Sequence, residues 1–294
     1  MSNNDNKNSF AVFGLLFGAL CWGIVWYPYR IMDNAGVPGV VSSFYTYSIA
    51  LVLAATYFAR HWRGVFKLPL SIIWLSLVAG WTNLSYVLAI IDGEVMRVML
   101  LFYLSPLWTL ILAHFWLKEE THLAGIIAIV TSLLGAYIML SGPEVSGFPL
   151  PANTAEWLAL SSGLGFALTN VMTRKSVHLS LRAKSFAVWL GVIVVCLGAM
   201  PLMQVSLSSP AVFTPANWLI MGLIAILLLA ATLFVQYGIT MVKATRASVL
   251  FLFELVVAAV AAYFLTDETM HVNEWIGGTL IVVASVFAAF NNED

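Results

Sequence analysis

Charge is the scarcest ingredient of this chain: 9% of its 294 residues are charged, against 61% hydrophobic. Soluble domains carry roughly a quarter of their residues as charges, so this chain is not built to be clothed by water. Cysteine is almost missing. Cys21 and Cys196 both fall inside apolar runs, which excludes a disulfide framework and leaves two packing thiols. No CxxC or HExxH pattern occurs, and His61, His114, His122, His178 and His271 are scattered, mostly near the ends of apolar stretches. We therefore expect no metal and no cofactor. A G-x-x-x-x-G-K phosphate loop is also lacking, which excludes an intrinsic ATP motor of that type. The 13 Lys and Arg form no basic stripe and the net charge is −1, so nucleic acid is not an expected partner. Short segments of alternating polarity, the mark of a membrane β-barrel, do not occur.

Long apolar runs take their place. Ten stretches, at about 9–31, 38–59, 69–91, 95–117, 123–141, 156–174, 184–205, 217–241, 247–265 and 273–290, approach the roughly 20 residues that cross a bilayer as a helix. Helices also pair every backbone N–H within the segment, which lipid demands. The polar start Met1–Asn8 leads into a run too long for a signal-peptide core, with no small-residue cleavage site behind it, so it reads as a retained first helix. The longest connector, Ser141–Ala155, holds Gly142, Pro143, Gly147, Pro149 and Pro151 and separates two halves.

The charges between the runs sort by side. With the N-terminus inside, Lys7, Arg60, Arg63, Lys67, Lys118, Arg174, Lys175, Arg182, Lys184, Lys243 and Arg246 lie inside, and only Arg30 and Arg97 outside. That asymmetry puts both termini in the cytoplasm.

The halves resemble each other. Shifted by 149 residues, Arg97–His122 lies on Arg246–His271 with seven identities in 26 positions: Arg97/Arg246, Leu101/Leu250, Phe102/Phe251, Ala113/Ala262, Phe115/Phe264, Glu119/Glu268 and His122/His271. A second register lays Trp22…Arg30 on Phe166…Arg174. Five helices per half is odd, so the halves must insert with opposite orientation. We expect an all-α membrane protein of ten helices in two inverted five-helix repeats, 9–141 and 156–290, joined by a connector over 142–155. Inverted repeats are a device of carriers, whose halves rock about a midplane site.

Short motifs sharpen this. Helix one carries Ala19-Leu-Cys-Trp22-Gly23, helix four Leu104-Ser-Pro106 and then Leu117-Lys-Glu119, and helix nine Phe253-Glu254-Leu255 followed by Glu268. In order and duplication these resemble the drug/metabolite transporter superfamily, in its ten-helix EamA branch, over residues 10 to 290. Two positions depart from that pattern. Leu255 stands where a second proline is common, and Tyr45 and Tyr47 occupy the stretch of helix two where an arginine is common. The resemblance implies a bacterial inner-membrane carrier of small metabolites, working as an exporter by alternating access. Its partners would be a small-molecule substrate and membrane lipids, with the chain a monomer or weak dimer.

Glu254 is the sharpest single residue. A carboxylate near mid-helix costs a few kcal/mol on insertion scales, so it should face the bundle interior and bind a cationic group or carry a proton. The plain alternative is a carboxyl that glues helices together. Around that depth we expect a substrate site of Trp22, Trp81, Asn83, Tyr86, Tyr103, Trp108, Asn170, Gln236 and Tyr237 with Glu254. Aromatic walls with a few amides suit an amino acid-like, aromatic or cationic solute. Pro106 should kink helix four and free the carbonyl of Phe102, as a hinge or, in the alternative, as a static kink. Arg97 and Arg246, opening helices four and nine, are candidate gate charges, with snorkelling as the alternative. Gly14 and Gly18 form a GxxxG packing face. An intramembrane or lipid-modifying enzyme would need clustered acid, base or metal ligands at one depth, and one isolated carboxylate is what the sequence offers. An assembly protein would have no use for duplicated halves.

Overall fold

The computed structural model describes residues 3–58, 70–93, 95–120, 123–140, 151, 153–265 and 271–290. Among these every regular element is helical. In chain order the helices are α1 (Asn3–Asn34), α2 (Gly39–Phe58), α3 (Leu70–Asp92), α4 (Val95–Phe102), α5 (Ser105–Leu112), α6 (Leu123–Leu140), α7 (Thr154–Lys175), α8 (Leu181–Leu202), α9 (Pro215–Met241), α10 (Ala244–Phe251), α11 (Phe253–Leu265) and α12 (Val272–Phe290). Most of the connector, together with His122 and Glu268, lies outside the described residues.

Among the described residues, six segments are long and apolar enough to cross a membrane: Lys7–Asn34, Gly39–Phe58, Leu70–Asp92, Leu181–Leu202, Pro215–Met241 and Ala244–Leu265. Ser105–Leu117, Leu123–Ile138 and Trp275–Phe287 are shorter apolar helices. α7 is long but carries Ser162, Asn170, Thr173 and Arg174. It can be that polar because it lies inside, packed on α3, α4, α5, α9 and α10.

Local signals set the boundaries in the second half. Asn153 caps α7 by accepting from the Glu156 N–H at 2.9 Å, and its amide donates back to the Glu156 carboxylate at 3.0 Å. The first bond satisfies an N-terminal backbone donor and the second locks the capping side chain in place. Ser180 and Thr214 cap α8 and α9 in the same way, each accepting an N–H three residues on at 3.2 Å.

The structure corrects one expectation. The fourth stretch, expected as one helix kinked at Pro106, and the ninth, expected as one helix, are both interrupted. Each is broken in two, at Tyr103–Leu104 and at Leu252. The 149-residue shift places Tyr103 on Leu252, so the breaks sit at matching positions. Pro106 falls in the first turn of α5, where its missing N–H is no loss. The chain breaks at Leu252 although Leu255 replaces the second proline, so the break belongs to the packing as much as to proline.

Pairing between helices follows the repeat. Matching α1, α2, α3, α4/α5 and α6 with α7, α8, α9, α10/α11 and α12 in order, the main contacts between the halves have exchanged counterparts. α3 packs on α7 as α9 packs on α1, α4 and α5 on α7 as α10 and α11 on α1, and α3 on α8 as α9 on α2. The pairs α2–α8 and α6–α12 map onto themselves. Glycines permit these crossings. A Cβ on Gly191 would strike the Ser76 carbonyl where α8 crosses α3. One on Gly14 would come 2.8 Å from the Phe234 carbonyl of α9, and Gly18 is as tightly covered by Val235. The GxxxG face is thus the α1–α9 seam. Outward, large apolar side chains such as Phe13, Val52, Trp74, Ile127 and Leu223 are exposed, a surface suited to lipid and not to water.

Candidate functional site

Breaking two helices at one depth exposes four helix ends there. α4 and α10 end in carbonyls, and the first turns of α5 and α11 are held by short backbone bonds across the breaks, Leu107 N–H donating to the Leu104 carbonyl at 3.0 Å and Leu255 N–H to the Leu252 carbonyl at 3.1 Å. α5 and α10 touch each other, so the two breaks are brought together in the interior. Pro106 leaves the Phe102 carbonyl without its helical donor. That carbonyl is pressed against α7 at Gly163, where a Cβ would lie 2.6 Å from the oxygen. The freed acceptor therefore faces helix backbone, not open space. At the second break α11 approaches α1 at Gly23, where a Cβ would lie 2.8 Å from the Glu254 carbonyl.

Glu254 stands in the first turn of α11 and is 6% exposed. The positive end of a helix stabilises a carboxylate by about 0.3–1 kcal/mol. A charge at this depth costs roughly 2.5–3.5 kcal/mol on insertion scales. The dipole alone does not cover that, so the carboxylate is set to accept a cation or a proton. The Tyr103 hydroxyl points toward it but completes no hydrogen bond, and Tyr86 lies within range of the same charge. Trp26, Tyr86, Phe102, Tyr103, Leu252 and Leu255 share one buried cluster, in which the Trp26 indole N–H has no partner. Arg30 lies over the Trp26 ring, 5.2 Å from its centroid.

An aromatic chain joins the two breaks. Tyr86 packs on Phe102 at 4.9 Å between centroids, Phe102 on Phe166 at 5.6 Å, and Phe166 edge-on to Phe251 at 5.0 Å. Phe102 and Phe251 are repeat counterparts, each the last helical residue before its break. Phe166 of α7 is wedged between them.

Of the expected site residues, the structure brings Glu254, Tyr103 and Tyr86 together. Asn170 and Gln236 are buried at 1% and 3% exposure, each with one unpartnered amide atom. Trp108 is half-buried with its indole N–H unpartnered, and Trp22 is half-buried against the α1–α2–α8 core. Asn83 is already engaged: its amide donates to the Ala79 carbonyl and its oxygen accepts from Tyr47, both at 2.7 Å. Trp81 is 43% exposed and donates to Ser161 at 3.2 Å. Tyr237 packs at 5.4 Å on Phe10, in an aromatic group between α1 and α9. None of these three is in the buried cluster of Trp26, Tyr86 and Tyr103. Arg246 is half-buried on the first turns of α10, and the Arg97 side chain lies outside the described residues.

The sequence reading passed over Trp26 and a polar knot where α7 ends. A π-helical turn, Ala113–Leu117, closes on Lys118 in the left-handed region at φ 55°. That reversal directs Glu119 inward. Its carboxylate meets the Arg174 guanidinium at 3.4 Å and accepts the Ala244 backbone N–H at 3.0 Å, capping α10. Arg174 also donates to the Thr240 carbonyl, and Lys184 donates to the Thr240 hydroxyl. Glu119 and Arg174 both carried a signal in the sequence, one closing a motif and one a repeat match, but nothing there paired them.

Comparison with known proteins gives this geometry a context. A model of the EamA-like transporter family matches residues 9–141 and 153–290. A protein of Archaeoglobus fulgidus named as an uncharacterized transporter is 26% identical over 233 residues, 77% of this chain and 78% of its own. An S-adenosylmethionine uptake transporter of Rickettsia felis is 25% identical over 225 residues, 74% of this chain and 70% of its own. The Rickettsia bellii protein of the same name is 26% identical over 223 residues, 74% and 71% of the two chains. A crystal structure 15% identical in sequence matches with a TM-score of 0.76 over 95% of this chain and 96% of that one, which shows the fold.

Proposed function

Because this chain belongs to the EamA-like transporter family, we propose that it is a secondary carrier for a small organic solute bearing a cationic group and a ring. The observation that carries this reading is the pair of matched helix breaks with Glu254 in the first turn of α11. Discontinuous helices at corresponding positions of two halves mark the binding site in carriers. Here the site offers one carboxylate, the aromatic faces of Tyr86, Tyr103 and Trp26, and unpartnered polar atoms. A sulfonium or ammonium held by π faces and a carboxylate fits that set. The Rickettsia proteins named for S-adenosylmethionine uptake make this sulfonium compound the first candidate.

In this reading the chain makes ten crossings, with each broken pair counted as one. The halves 9–141 and 156–290 are inverted and joined by the connector 142–155, and both ends are cytoplasmic in a bacterial inner membrane. Glu254, Tyr86 and Tyr103 contact the solute, and Trp22, Trp108, Asn170 and Gln236 extend the path. Trp81, Asn83 and Tyr237 are reached only when the halves move. The breaks beside Pro106 and Leu252 are the hinges, and Arg97 and Arg246 guard the ends of the broken helices. The family resemblance suggests export, while the Rickettsia proteins are named for uptake. A carrier without its own motor runs down whichever gradient is imposed, so direction follows the solute and any coupled proton. The chain works as a monomer or weak dimer.

A stability-shift screen of the purified protein tests this reading, because a ligand of the folded state raises its midpoint. S-adenosylmethionine, polyamines and basic or aromatic amino acids form the panel. We expect a dose-dependent rise with at least one cation, reduced in Glu254→Gln. A flat response across the panel would count against the assigned substrate class.

A further inference from the structure

Phe166, Asn170 and Arg174 follow one another at four-residue intervals on α7, so they lie along one helix face. At 1.5 Å per residue the stripe spans about 12 Å. It begins at the aromatic wedge between the two breaks and ends in the polar knot. α9 packs beside it with Gln236 and Thr240 one turn apart, and the Thr240 hydroxyl donates to the Gln236 carbonyl at 2.6 Å. Between wedge and knot, the Asn170 amide nitrogen, the Gln236 amide oxygen and the Thr173 hydroxyl are buried without partners. Buried polar groups are ordinarily bonded. A seam lined with unmet donors and acceptors is suited to groups that pass through it.

We propose that the knot of Glu119, Arg174, Lys184 and Thr240 is the cytoplasmic gate of the carrier, and that the α7–α9 seam behind it is the inner half of the solute path. This rests on the carrier reading above and deepens it. The charge asymmetry of the loops places Arg174 and Lys184 on the cytoplasmic side. Five chain segments meet in the knot: the π turn through Glu119, the end of α7, the start of α8, the end of α9 and the start of α10. Glu119 is the one member from the first half; the others come from the second. When the halves rock apart, the Glu119 contacts to Arg174 and to the Ala244 N–H are the ones that must part. The bonds among Arg174, Lys184 and Thr240 lie within one half and travel with it. Arg30, which the repeat register lays on Arg174, sits over an indole face at the other end. The two gates are therefore built differently.

Labelling of a buried thiol tests the gate without relying on an identified solute. Thr173 is fully buried beside Arg174, so Thr173→Cys, in a Cys21→Ala, Cys196→Ala background, reports access to the seam. The probe is a charged, membrane-impermeant methanethiosulfonate applied to inside-out or right-side-out vesicles. Glu119→Gln keeps an acceptor for the Ala244 N–H but removes the charge facing Arg174. We expect Glu119→Gln, and independently Arg174→Gln, to speed labelling at least tenfold from the cytoplasmic face and not from the other. An unchanged rate, or an equal rise from both faces, would overturn the gate. Uptake of labelled organic cations by the same vesicles separates the two readings. A wild type that takes up none would overturn the carrier reading and the gate with it. A wild type that transports, while both variants label at the original rate, would overturn the gate alone.

Discussion

Replacing Gly163 by alanine probes the first helix break where its packing is tightest. The new Cβ would lie 2.6 Å from the Phe102 carbonyl oxygen and 3.2 Å from its carbon and Cα, against an ordinary contact of 3.4 Å or more. About 0.8 Å of overlap with the oxygen must be relieved. Two backbones meet there, so no flexible side chain can give way. Overpacking of this kind costs about 1–3 kcal/mol. Alanine also restricts the unfolded chain and favours helix, which returns about 0.4–1 kcal/mol. Gly198, within α8, isolates that second term, because nothing lies within 4 Å of the place an added methyl would take. The helix term then cancels between the two variants and the clash remains. Gly163→Ala should melt below Gly198→Ala by the equivalent of about 1–3 kcal/mol, while Gly198→Ala should melt at or above the wild type. Thermal midpoints of the detergent-solubilised proteins, followed by aggregation or size exclusion, give the comparison. Equal midpoints for the two variants would refute the close approach of α7 to the break.

Three further outcomes follow from the same geometry. Glu254→Gln and Glu254→Leu should both fold with midpoints at or above the wild type, since holding a carboxylate at this depth is costly, and both should lose transport of cations; a well-folded Gln variant with wild-type transport and pH response would end the functional reading of Glu254. Gly191→Ala, which collides with the Ser76 carbonyl at the α3–α8 crossing, should be the most damaging of the glycine variants, near or above roughly 3 kcal/mol, and a midpoint within a degree of wild type would contradict that crossing. A reporter active only in the periplasm, fused after Asp294, should stay silent, and a strong signal would sink the proposed orientation.

The membrane class and the two-repeat plan were legible in the sequence because both are bulk properties. Apolar length and the 149-residue match survive without any knowledge of contacts. Glu254 was legible because a lone carboxylate in an apolar run has few readings. The breaks were less so. Pro106 marks the first, but the second runs Phe251-Leu-Phe253-Glu254, which carries no breaker. Trp81, Asn83 and Tyr237 were grouped with the site by depth alone. Depth does not fix which way a helix face turns, and the structure turns those three to other neighbours. The Arg174–Glu119 pair spans 55 residues and depends on a π turn ending in a left-handed lysine, a local geometry with no sequence signature of its own.

The central claim is that a cationic solute crosses at the paired helix breaks, held by Glu254. Uptake of labelled S-adenosylmethionine and of a panel of ammonium-bearing amino acids and polyamines into proteoliposomes tests it most directly, with wild type and Glu254→Gln side by side. The account predicts saturable, protein-dependent accumulation of at least one of these cations, and an apparent affinity at least tenfold weaker in the variant. No protein-dependent uptake of any of them, or equal uptake by both proteins, would contradict it.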